Sequence, residues 1–144
     1  MKNHVMYTAL ICSGALPFAL AAIAALSGVD PIPLAGAPDR VILSYGLGII
    51  SFLTGIHWAT SLYLGDRSPA NMFLISNVVF LVTWITFLVG GIRSAILAQS
   101  AALVVLLAID YRLLADRLIE RHYFRMRAAA TLIAVLSLLS FVAY

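Results

Sequence analysis

Residues 41–64 read VILSYGLGIISFLTGIHWATSLYL. The stretch contains no Asp, Glu, Lys or Arg, and its single histidine is His57. A helix that crosses a bilayer needs roughly 20 predominantly apolar residues, and this run has that length. Asp39 and Arg40 precede it, and Asp66 and Arg67 follow it. Charges bracket other runs in the same way: Val5 to Leu26, Ala70 to Val89, Ala95 to Leu114 and Ala128 to Tyr144. The runs are continuously apolar, without the alternation of a transmembrane barrel strand. The expected fold is all-α: one transmembrane domain, 1–144, a polytopic bundle of about five helices.

Composition agrees. Of the 144 residues 63% are hydrophobic and 10% charged, against about 25% charged in soluble domains. Mean hydropathy is +1.05. A soluble fold of this size has too much surface to hide so much apolar side chain. The opening Met1-Lys2-Asn3-His4 and the run after it superficially resemble a signal peptide. That run is longer than a usual signal core and others like it follow, so it is read as a true span. Cys12 has no partner in the chain for a disulfide and reads as a small buried hydrophobe.

The net charge of +3 speaks for orientation rather than nucleic acid, because the basic residues cluster in one loop between apolar runs. With the N-terminus cytoplasmic, Lys2, Arg67, Arg112, Arg117, Arg121, Arg125 and Arg127 lie inside, and Arg40 and Arg93 outside. Asp30 joins the outer loop, and Tyr144 ends on the outer face. The expected location is the bacterial inner membrane. The outer loop, with Pro31, Pro33, Pro38 and Gly36, cannot be helical for any length. Gly90-Gly91 makes a tight turn between antiparallel neighbours. Residues 110–127 read as the fourth helix running out of the membrane or as a short surface helix, with basic side chains for anionic lipid.

Ser44, Gly48, Ser51, Gly55 and Ala59 fall on one face of the second span, and small residues mark where membrane helices approach. They predict a packing face, with a lipid or ligand groove as the alternative. Pro17 predicts a kink in the first span, or a broken helix lining a site. His57 shares a face with Thr54 and Ser61. An ionisable group in hydrocarbon is costly and turns inward. The plain reading is a neutral imidazole bonded to a neighbouring helix; the sharper ones are proton exchange, ligation or contact with a quinone-like head. Asp110 shares a face with Gln99, Leu103 and Leu106. It should pair with Arg112, Arg67 or another cation at the interface. Pairing with His57 would need water or a tilt to close roughly 5–8 Å of depth. Asn77 is expected to bond between helices, sharing a face with Trp84. Trp58 and Trp84 are expected as headgroup anchors.

No metal-site spacing is present, and His4 and His122 lie too near the edges to join His57 around a haem. No phosphate loop, nucleophile elbow or zinc-protease motif occurs, so the chain reads as non-catalytic, with no cofactor expected.

The residues Tyr45-Gly46 and Ser51-Phe52-Leu53-Thr54-Gly55-Ile56-His57-Trp58 resemble the hallmark of the transmembrane protein 69 family, as does the start Gly14, Leu16, Pro17 and Phe18. Thr54 stands where that family usually has glycine. The resemblance implies about five spans in an energy-coupling membrane and points to Gly48, Gly55, His57 and Trp58; it implies no activity. Two functional readings follow. The first is a non-catalytic accessory, assembly or structural subunit of a membrane complex or homo-oligomer. The second is a binder or carrier of a small hydrophobic or protonatable ligand, such as a quinone or lipid, at His57.

Overall fold

A computed structural model describes all residues except Met1, Asp30, Leu34, Ala35, Pro69, Ala70, Ala143 and Tyr144, and not the side chains of Lys2, Asn3 and His4. The expected placements of Asp30, of Ala70 as the start of the third span and of Tyr144 therefore fall outside the described residues. The helices are α1 (Lys2–Leu26), α2 (Pro38–Leu64), α3 (Met72–Val89), α4 (Ile92–Ala115) and α5 (Arg121–Ser140). All five are long and apolar enough to cross a membrane. The chain is a multi-pass membrane protein with an all-α bundle.

On α3 burial runs opposite to that of a soluble helix. The buried residues of α3 are Met72, Ser76 and Thr83, while Leu74, Val78, Leu81, Val82 and Leu88 face outward. Lipid tails are as apolar as leucine, so burying leucine gains little there, and packing and polar contacts hold the helices together instead. The helices form a ring in which α1 packs on α5 and α2, α3 on α2 and α4, and α4 on α5. α2 also meets α4 across the ring, whereas α2 and α5 barely touch.

Helix ends follow local chemistry. After α1 the Gly28 and Val29 N–H groups reach back to the Ala25 and Ala24 carbonyls, a Schellman end with Gly28 at φ 71°. Pro38 opens α2, where its missing N–H costs nothing. The Asn71 side chain caps α3 by accepting from the Leu74 N–H at 3.1 Å. At the α3–α4 turn Gly90 is required sterically, because a Cβ there would strike the Thr86 carbonyl and the Ser94 hydroxyl.

Several expectations need correction. The faces of Ser44, Gly48, Ser51, Gly55 and Ala59 are exposed, and a Cβ on Gly48 or Gly55 would meet nothing within 4 Å. The stripe is therefore not a contact between helices of this chain. Inside packing uses the opposite side of α2, including Ile42, Gly46, Ile50, Leu53 and Leu64. Cys12 is exposed on the bundle's outer surface. The fifth helix begins at Arg121, not Ala128, because its first two turns pack Tyr123 and Arg127 inward while Arg121 and Arg125 stay exposed. Residues 110–127 therefore hold the end of α4, a turn and the start of α5, with no separate surface helix.

Pro17 sits inside α1, which continues through it. The ring removes the N–H that would bond the Ser13 carbonyl. At the next carbonyl, Gly14, the Tyr45 hydroxyl of α2 donates at 2.9 Å, and the Tyr45 ring meets Phe18 edge-on.

Candidate functional site

Three helices each contribute one ionisable side chain to the interior. The inner stripe of α2 carries Thr54, His57 and Ser61, all buried. The inner stripe of α4 carries Gln99, Leu103, Leu106 and Asp110, at the helical spacing expected for one face. Arg127 comes from the second turn of α5. His57 Nε2 lies 2.9 Å from Asp110 Oδ1, and Arg127 Nε donates to Asp110 Oδ2 at 3.1 Å. Since an ionised carboxylate only accepts, His57 must donate from Nε2. Exposures are 2% for His57, 3% for Asp110 and 7% for Arg127.

The contact between His57 and Asp110 needs no bridging water. His57 lies seven residues before the end of α2 and Asp110 five before the end of α4, so their depths differ by only roughly 3 Å. Arg112 and Arg67, the two named candidates for pairing with Asp110, are exposed, and the partner is another cation. That cation, Arg127, reads in the sequence as a loop charge. One signal was present in the sequence: Tyr123, Arg127 and Thr131 repeat every fourth residue into an apolar run.

Beside this triad the gap between α2 and α5 is a cavity of about 260 Å³, close to the lower end of the roughly 300–1,000 Å³ of ligand sites. Its walls include Tyr7, Ile11, Gly14 and Phe18 of α1, Ile49, Leu53 and Ile56 of α2, and Leu103 of α4. α5 adds Tyr123, Arg127, Ala130, Thr131 and Ala134, which share one helical face. Two of these wall residues each carry a buried polar atom without a hydrogen-bond partner: Arg127 Nη2 and Thr131 Oγ1. Near one end Tyr7 meets Tyr123 edge-on and His122 at a tilt, and Thr8 Oγ1 lies 3.1 Å from His122 Nε2. A wider groove of about 960 Å³ opens near Asp39, Arg40, Phe87 and Gly90. None of its described lining side chains is a buried polar group lacking a partner.

Other expected site residues fall elsewhere. Asn77 is exposed and donates to its own helix at the Phe73 carbonyl, 2.7 Å away, so it makes no interhelical bond in the bundle. Thr54, though buried, donates to the Ser51 carbonyl of its own helix. Trp58 is 43% exposed and packs edge-on against Phe73 of α3. Gln99, outside the expected set, is fully buried and donates to the Leu43 carbonyl at 2.8 Å. A Cβ on Gly46 would collide with its amide oxygen. Among the described residues, no group of three His, Cys, Asp or Glu could hold a metal ion.

Residues 3–143 match the family model described as protein of unknown function DUF3429. The chain belongs to this family. No curated protein and no solved structure matches it. In this DUF3429 member the Tyr45-Gly46 pair has a physical reason. Tyr45 serves the backbone of α1 beside Pro17, and Gly46 makes room for Gln99.

Proposed function

We propose that the protein binds a small hydrophobic molecule with a polar head inside the bundle, in the cavity between α1, α2 and α5. The observation that carries this reading is the pair of unpartnered wall atoms, Arg127 Nη2 and Thr131 Oγ1, in an otherwise apolar space. A buried donor left unpaired costs about 1–3 kcal/mol, and a ligand acceptor removes that cost. His57 and Asp110 fix the guanidinium from behind rather than meeting the ligand. The test is native mass spectrometry of the intact protein released from mild detergent, with and without Ala134→Leu, which fills the slot. The wild type should carry a hydrophobic adduct that the variant loses; an adduct unchanged by the substitution would overturn the reading.

A second reading, a subunit of a larger complex or a homo-oligomer, draws on the outward stripe Ser44, Gly48, Ser51, Gly55 and Ala59, where another helix could approach closely. Crosslinking through Gly48→Cys in a Cys12→Ser background tests it, and a chain that stays monomeric counts against it. We further propose an N-terminus on the cytoplasmic side of a bacterial inner membrane. With Arg127 inside the bundle, six basic residues against two still support that orientation. Reporter fusions after Ser140 should then read out on the outer face.

A further inference from the structure

Resting on the binding reading above, we propose that the head taken by the cavity is an uncharged carbonyl carried on a single hydrophobic tail. The Arg127 guanidinium and the Asp110 carboxylate already cancel each other, and His57 completes the bonds of Asp110. Arg127 is the one Lys, Arg, Asp or Glu among the described wall residues. A carboxylate head would bring an uncompensated negative charge against walls that are almost wholly apolar. An ammonium head would meet a like charge. α3 has no titratable residue, the titratable wall residues of α1 and α5 besides Arg127 are Tyr7 and Tyr123, and Glu120 and His122, which meet Tyr7, are exposed.

Arg127 and Thr131 stand one turn apart on the same face of α5, about 5–6 Å between Cβ atoms. Their free groups can both donate to one carbonyl oxygen, which has two lone pairs. A purely hydrocarbon ligand would leave both unpaired. From Tyr7 to Phe18 and from Tyr123 to Ala134 the walls run eleven residues, roughly 16 Å. Arg127 lies toward the Tyr7 and Tyr123 end, and the small residues Gly14, Ala15, Ala130 and Ala134 line the space beyond it. That arrangement suits a carbonyl near one end of one chain, as in a quinone or an acyl ester.

The test uses the full chain in detergent and titrates a long-chain methyl ketone against the matching fatty acid, amine and alkane. The ketone should bind about tenfold tighter than the other three, and its carbonyl stretch should move to lower frequency on binding. Thr131→Val should weaken the ketone several-fold and leave the alkane unchanged, while Thr131→Ser retains wild-type binding. Thr131 Oγ1 has no partner in the protein, so this substitution removes no internal bond. A ubiquinone analogue and a monoacylglycerol identify the source, and tightest binding by either supports the proposal. Acid or amine binding as tight as the ketone overturns it. So does a ketone no better than the alkane, although the cavity reading then survives. Failure of all four probes to bind overturns both.

Discussion

Asp110 is the carboxylate at which His57 and Arg127 meet, and its removal should be felt by both. Asp110→Asn leaves the Arg127 guanidinium buried without a counter-charge, which should cost roughly 3–5 kcal/mol. Replacing the pair together, Asp110→Leu with Arg127→Met, should recover most of that loss, because a buried ion pair is often no better than well-packed apolar groups. Thermal unfolding in detergent reads both; an additive double variant would contradict the pairing. Gly46→Ala meets the buried Gln99 amide and should destabilise by about 1–3 kcal/mol. Gly48→Ala and Gly55→Ala meet nothing within 4 Å and should be neutral or stabilising by up to about 1 kcal/mol. The same melting series checks all three.

Among the elements, the end of α4 carries a local conflict. Leu118 N–H reaches the Leu113 carbonyl and Arg117 N–H the Leu114 carbonyl, a Schellman end like that of α1. Here the residue in the left-handed position is Arg117, at φ 57°. A side chain there costs roughly 1–2 kcal/mol that glycine avoids. Arg117→Gly should therefore raise the melting temperature, and a fall would show that the exposed side chain makes a compensating contact. This turn also sets the site, because it reverses the chain so that Arg127 comes back beside Asp110.

For the molecule as a whole, the cavity is a space left open where α2 and α5 barely meet. Filling it should act on stability and binding with opposite signs. Ala134→Leu, next to Leu138 and Phe18 in the core, should stabilise the ligand-free protein by about 0.5–2 kcal/mol while the adduct disappears. A destabilised variant that kept its adduct would place the ligand elsewhere.

Hydropathy, the charges between the runs and the proline-rich loop were enough to establish five apolar helices, since water and hydrocarbon sort side chains by simple solvation. The inner faces of α2 and α4 were also legible, because His57 and Asp110 cannot face lipid cheaply. Which small residues point inward was not, since glycine and serine are tolerated on either side of a membrane helix. Nor was the partner of Asp110: Arg127 reads as a loop cation until the turn at Arg117 fixes where α5 begins. Helix-to-helix pairing and the gap beside it depend on how five rods close into a ring, and that geometry resides in the tertiary structure alone.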